Sequence, residues 1–236
     1  RGKKAAATSQ WAPFLFSMGG SWLTKDGKPA VTSPESIQSL DLYGRLLRNY
    51  GPPGSVNYHW YETVSQFSQG KAVMMIEVNP RFFFLEDPTK SKVSGKVGYA
   101  MFPAGPAGRR PSMEVASMAI SPKSKKKEAA FLFIQWMTGK ELAAKMLLRG
   151  IPSSRVSSWK DPRFLAEMKQ KDWVEASVKS MEIADPVYSP PVVAVSEVRD
   201  ELGAVIVSSI LGENVKPAAD KAAAEIVKIM QKTEGK

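Results

Sequence analysis

Cysteine is absent from the 236 residues, and histidine occurs once, at His59. The first absence excludes disulfide frameworks, thiolate nucleophiles and cysteine-ligated zinc. The second excludes two-histidine metal motifs and argues against a histidine-dependent triad. No run reaches the roughly 18 consecutive apolar residues that a membrane-spanning helix requires. Walker A, GxGxxG, GxSxG and HExxH patterns are also missing, which removes the phosphate loop, the nucleophile elbow and the zinc-binding helix. No metal and no cofactor is therefore expected. Acidic residues are in the minority, 23 against 33 Lys and Arg, for a net charge of +10. Such a balance favours anionic partners in general. Its densest stretch, Lys123, Lys125, Lys126 and Lys127, stands at the start of a predicted helix, where positive charge opposes the helix macrodipole, so it reads as a solvated face. No aromatic platform accompanies it, and no nucleic-acid partner is expected.

What remains is a chain of ordinary globular composition, 43% hydrophobic and 24% charged, long enough for one large domain or two small ones. Its punctuation predicts a mixed α/β order. Ser33 caps a helix with Pro34 in its first turn, Ile37, Leu40, Tyr43 and Leu47 give it one apolar face, and Gly51 stops it. A short helix over 62–69 closes at Gly70. Residues 72–78 form a continuous apolar run and read as a buried strand; 97–102 and 115–120 are further strand candidates. A turn-rich connector spans 104–111. Ser121-Pro122 should open the next helix, and Thr138 with Glu141 has the spacing of a capping box for the one after it. Asp161-Pro162 begins another, 171–183 and 195–211 are helical, and a last helix carries Val215, Ala219, Ala222, Ala223, Ile226, Val227 and Met230 on one stripe.

Chemistry has few footholds. The acid pairs Glu86-Asp87 and Asp200-Glu201 admit a carbohydrate-active enzyme in principle, since a glycosidase needs two carboxyls at the right separation, but neighbouring acids are more simply solvated surface. Aromatics clustered with small polar groups say more. Trp11 and Trp22 flank a Gly19-Gly20 pair, Asn57 to Glu62 is rich in Tyr and Trp, and Asn79-Pro80-Arg81-Phe82-Phe83 follows the apolar run. Tyr and Trp faces suit the apolar face of a sugar, and Asn, Glu and Arg suit its hydroxyls.

The order of these segments resembles the solute-binding proteins of carbohydrate ABC transporters. The stretch Trp11-Ala12-Pro13-Phe14-Leu15-Phe16-Ser17-Met18-Gly19-Gly20-Ser21-Trp22-Leu23 matches that family's W-x-x-F-L-x-S-x-G-G-x-W-L pattern, and Phe67-Ser68-Gln69-Gly70-Lys71-Ala72-Val73-Met74 its F-x-x-G-K-A-A-M turn. Glu86-Asp87-Pro88, Gly95-Lys96-Val97-Gly98-Tyr99, Pro103-Ala104-Gly105-Pro106 and Asp161-Pro162-Arg163-Phe164 are similar in turn. The resemblance implies a type II periplasmic binding fold, in which two α/β lobes joined by three crossovers close on a ligand without chemistry, so no enzymatic activity is expected. It implies that 1–111 and 162–236 belong to the C-terminal lobe. It also implies that 116–158 crosses back to complete an N-terminal lobe, most of which would precede the Trp11 motif, with crossovers near 110–115 and 157–163. The chain opens Arg1-Gly2-Lys3-Lys4, and the resemblance implies that it is the later part of such a protein, one expected to act in the periplasm or on an extracellular lipid anchor.

The same resemblance assigns ligand contacts. Ser9 and Trp11 precede the double glycine; Asn79, Arg81 and Phe82 follow the strand end where the family carries a stacking Trp; Glu114 lies in the stretch that replaces a frequent glycine pair; Tyr188 and Arg199 flank the segment that re-enters the cleft. Trp60, from the aromatic cluster at 57–62, joins these candidates on its residue type. The implied ligand is a sugar, polyol or related small polar solute, and the implied partner is the membrane permease of an ABC transporter. The apolar side chains of 116–158, among them Phe131, Phe133, Ile134, Trp136, Leu142 and Met146, should be covered by the first lobe or by self-association. Residues 1–236 alone should bind ligand weakly or not at all. The alternatives are a carbohydrate-active enzyme fragment and an interaction fragment without ligand binding.

Overall fold

The computed structural model describes Gly2 and Lys4–Gly235. Arg1, Lys3 and Lys236, at the outer ends of the 1–111 and 162–236 segments, lie outside the described residues. Among the described residues eleven α-helices follow one another: α1 (Ala5–Ser17), α2 (Pro34–Tyr50), α3 (Trp60–Ser68), α4 (Phe82–Leu85), α5 (Lys127–Met137), α6 (Lys140–Leu148), α7 (Val156–Trp159), α8 (Pro162–Glu167), α9 (Lys171–Ile183), α10 (Val195–Leu211) and α11 (Val215–Glu234). Single 3-10 turns lie at Ser55–Asn57 and Asn79–Arg81.

Local signals fix many helix ends. The Ser33 hydroxyl accepts from the Ser36 amide at 3.2 Å, with Pro34 at the first helical position of α2. The Asp161 carboxylate accepts from the Arg163 amide at 2.9 Å and opens α8 in the same way. Gly212, at φ 83°, supplies the left-handed residue that ends α10. Two predicted starts differ. The Ser121-Pro122 pair forms a separate turn and α5 begins only at Lys127. Thr138 turns its hydroxyl back to the Ile134 carbonyl at 2.8 Å instead of capping α6, whose N-cap is Gly139. The reciprocal carboxylate is found at α3, where Glu62 accepts from the His59 amide at 2.9 Å. The single histidine is thus the N-cap residue of α3.

The main core joins α1, α2, α10 and α11. Trp11, Leu15, Leu40, Val198, Val205, Ile206, Ala219 and Ile226 are all essentially inaccessible to solvent there. A second cluster gathers Phe82, Leu147, Trp159, Phe164, Met168, Trp173 and Val174. It runs across the boundary expected near 157–163, because α6 and α7 pack on α8 beside Phe82. By contrast, no residue from Ser112 to Ala143 is buried.

The strand expectations are corrected. Among the described residues there is no strand ladder, only isolated bridges at Leu23–Pro29, Gly105–Gly108 and Ser112–Asp185. Residues 72–78, read as a buried strand, leave Val73 95% and Met74 86% exposed. An apolar run becomes a strand only when a neighbour satisfies its backbone groups. None of the described segments pairs with 72–78, 97–102 or 115–120.

This division predicts unequal sensitivity to truncation. Ile206→Ala, in the main core, should cost about 2–5 kcal/mol, whereas Val73→Ser should change stability by no more than about 0.5 kcal/mol. Urea unfolding followed by circular dichroism reads both.

Candidate functional site

Helix α1 is buried on nearly every side, from Ala7 to Ser17 with only Ser9 partly open. Its polar side chains must therefore find partners inside the protein. Arg199 answers from α10. Its Nε donates to the Thr8 hydroxyl at 2.8 Å, and its Nη2 donates to the Ala5 carbonyl and the Ser9 hydroxyl at 2.9 Å each. The buried stripe of Val198, Leu202, Val205 and Ile206 seats α10 against the core, which brings Arg199 to the first turns of α1. Pro13 lies inside α1 and has no N–H to return to the Ser9 carbonyl, so the helix leaves that acceptor without its usual donor. One residue on, the Gln10 side-chain amide donates to the Ile76 carbonyl, joining α1 to the unladdered segment 72–78.

The chain then turns at Asn79–Arg81 and places Arg81 back over Glu77. The Glu77 side chain is 2% exposed and its Oε2 lies 3.3 Å from Arg81 Nε, while Arg81 is 19% exposed. The same oxygen accepts from the Val78 amide at 3.3 Å. The Arg81 guanidinium lies over the Trp60 ring, 4.1 Å from its centroid, a cation–π contact. Phe84 packs beside that ring at 5.7 Å. Ser9, Gln10, Glu77, Arg81 and Trp60 thus form a connected series of donors, acceptors and one aromatic. Such a group suits recognition of hydroxyls, and nothing in it resembles a positioned nucleophile with its base.

Of the residues expected at a ligand, Ser9 and Arg199 are in direct contact, as are Trp60 and Arg81. Asn79 is half-buried on the same turn as Arg81. Trp11 and Phe82 are corrections. Trp11 is 1% exposed, donates its indole N–H to Ser39 Oγ at 3.0 Å and meets Trp22 edge-on; it belongs to the core because its whole helix does. Phe82 is 7% exposed and stacks on Trp173 at 4.2 Å. Glu114 is exposed, next to the point where the Met113 amide donates to the Asp185 carbonyl and Arg110 pairs with Asp185 at 2.6 Å. Tyr188 is half-buried, one residue past the Val187 carbonyl that accepts from the Trp22 indole at 2.7 Å. No contact joins Glu114 or Tyr188 to the Arg81 group among the described residues.

Thr8, Gln10 and Glu77 escaped the sequence reading. The available signal for Glu77 was its four-residue spacing from Arg81 after an apolar run. The acid pair at 86–87 turns out to be structural. Glu86 accepts from the Tyr99 hydroxyl at 2.7 Å, the Gly95 amide at 2.8 Å and Gln170 at 3.2 Å. Burial, together with this carboxylate, pushes the Tyr99 phenol well above its ordinary pKa. Asp87 is held below the usual carboxylate range by the Thr89 hydroxyl and amide and by Lys90. A groove of about 500 Å³ runs past Phe82, Phe83, Arg149, Glu167 and Lys169, and another of about 290 Å³ past Arg48, Pro53 and Leu211. Neither reaches Arg81 or Ser9.

The family model of bacterial extracellular solute-binding proteins matches residues 1–144. The chain belongs to that family. A solved structure of an ABC-transporter solute-binding protein from Agrobacterium radiobacter, in complex with ribitol, superposes with a TM-score of 0.85 at 33% identity, over 97% of this chain and 58% of that one. A mannitol-binding protein from Pseudomonas aeruginosa is 26% identical over 72% of this chain and 39% of its own length. A probable amino-acid ABC transporter periplasmic-binding protein from Sinorhizobium fredii is 25% identical over 87% and 46%. This solute-binding-family chain therefore spans less than half the length of the curated relatives it matches. The fold is that of type II periplasmic binding proteins, and the family and its structural neighbours are transport binding proteins.

The contacts of Arg199 make a testable demand. Arg199→Lys keeps the charge but cannot serve three acceptors at once, and it should lower stability by about 1–3 kcal/mol. Amide shifts in an NMR comparison should concentrate at residues 5–10 of this family member.

Proposed function

We propose that this chain forms part of the ligand-binding surface of an ABC-transporter solute-binding protein, that its ligand is a polyol or sugar, and that it works in the periplasm or on an extracellular lipid anchor. The observation that carries the reading is the group around Arg81. It offers a partly exposed arginine beside a buried carboxylate and an indole, on a segment joined through the Gln10–Ile76 hydrogen bond to the buried helix on which Ser9 is partly open. Hydroxyl-rich ligands are bound by such alternating donors and acceptors. The ribitol of the Agrobacterium structure and the mannitol of the Pseudomonas relative support the same class. The reaction is binding and release to a permease, with no covalent step.

Ser9, Trp60, Asn79, Arg81 and Arg199 are the proposed ligand surface, with Tyr188 as a further contact on the same lobe and Glu114, at the crossover, brought to it by lobe closure. Closure is then a population shift set by a ligand that bridges both lobes. For the lobes, 1–111 and 162–236 form one and 116–158 completes the other. The lack of any buried residue from Ser112 to Ala143 supports that division for the first part of 116–158. The exposed rings of Phe131, Phe133 and Trp136 on α5, each more than half accessible, are the surface that the remainder of the first lobe or a second copy would cover.

Calorimetric titration of ribitol, D-mannitol, maltose and a set of amino acids into the protein made from its whole reading frame tests the reading. Saturable heat is expected with a polyol or sugar and none with amino acids. Binding confined to an amino acid would overturn it.

A further inference from the structure

We propose that Arg199 is a positioning residue that acts on the ligand through Ser9: it holds the Ser9 hydroxyl by its oxygen and leaves the hydroxyl proton free to donate to a ligand oxygen. This rests on the polyol-or-sugar reading and assigns the polarity of one of its contacts.

Two hydroxyls stand side by side in the first turns of α1, and Arg199 reaches both. Thr8 is wholly buried and its hydroxyl is used on both sides. The oxygen accepts from Arg199 Nε at 2.8 Å, and the proton goes to the Ala5 carbonyl at 2.6 Å. Ser9 is partly open. Its oxygen accepts from Arg199 Nη2 at 2.9 Å, and its proton has no acceptor among the described residues. A serine inside a helix ordinarily turns that proton to a carbonyl three or four residues back. For Ser9 the carbonyl four back is that of Ala5, which already accepts from the Thr8 hydroxyl and from Nη2. The customary internal acceptor is occupied, so the proton is left for an acceptor outside the helix.

An arginine suits this task better than a lysine. Its planar guanidinium presents several N–H groups at fixed angles, so one side chain serves two neighbouring hydroxyls and a carbonyl together. All three acceptors are neutral, and no carboxylate pairs with Arg199 among the described residues. The first turn of α1 holds no acidic residue that would compete for it. A hydroxyl that accepts from a cation is polarised and becomes a stronger donor in turn. Ser9 therefore meets a ligand oxygen as a fixed donor and not as a freely rotating hydroxyl, which lowers the ordering cost of the contact.

Ribitol, with D-mannitol as a second polyol, is titrated calorimetrically into wild type, S9A, R199K and the double variant, each made from the whole reading frame. S9A and R199K should each weaken the better polyol by about tenfold. The double variant should bind within about twofold of S9A, because Arg199 then has no hydroxyl to position. A role confined to holding α1 would lower affinity by the same factor with or without that hydroxyl. An additive loss of about a hundredfold, or unchanged affinity in S9A or R199K, overturns the proposal and leaves the polyol reading intact. Among the monodeoxy derivatives of the better polyol, one should bind wild type and S9A alike, which marks the hydroxyl that Ser9 reads; an S9A loss that persists with every derivative also overturns it. Circular dichroism checks folding. If R199K does not fold, T8V, which removes the Nε acceptor, takes its place. A loss of about threefold with Ser9 present and none in S9A is then expected, and an equal loss in both backgrounds overturns the proposal. Wild type that binds neither polyol overturns the polyol reading as well.

Discussion

Helix α1 is too apolar to lie at a surface, and most of what surrounds it follows from that. Once Trp11, Leu15 and Phe16 are buried, each polar atom along the helix needs a partner, since an unpaired buried donor or acceptor is costly. Thr8 and Ser9 receive Arg199 from α10, Gln10 reaches Ile76, and Trp11 donates to Ser39 on α2. Ser17, at the far end, accepts the Arg110 amide through its hydroxyl and the Ala107 amide through its carbonyl. One helix thereby fixes the position of α2, α10, the 72–78 segment and the 104–111 connector. The candidate site lies at its more polar end.

Legibility followed the range of the interaction. Helices α2, α8 and α10 were readable because their caps, Ser33, Asp161 and Gly212, act within a few residues. Helix α1 was not read as a helix: uniform burial erases the apolar periodicity, and Pro13 argues locally against one. Residues 72–78 carried a strand-like pattern, but a ladder depends on a neighbour that no pattern within the segment reports. At the candidate site, resemblance to the family named Ser9, Arg81 and Arg199, and the structure brings Ser9 and Arg199 together although they are 190 residues apart. It misassigned Trp11 and Phe82, because an aromatic in a family motif does not say which side of the helix or turn is wet. Glu77 matters through a pairing that spacing alone could not distinguish from an ordinary surface contact.

Charge changes meaning between composition and structure. A surplus of ten positive charges describes the surface as a whole, whereas the arginines at the site are already engaged. Arg199 holds α1 through its Nε and Nη2, and Arg81 is paired with Glu77. The exposed apolar rings of α5 form a separate theme. They take no part in the α1–α10 core, and the site does not draw on them for its contacts.

The central claim is that the open end of α1, the 76–81 turn and Trp60 form one ligand-facing surface. The most direct measurement is a heteronuclear NMR titration of the protein with ribitol. The account predicts that the amides of residues 8–10 and 76–81 and the Trp60 indole shift together along one saturation curve, while Arg149 and Lys169 in the groove beside Phe82 stay still. Shifts confined to that groove, or separate curves for Trp60 and Ser9, would contradict it.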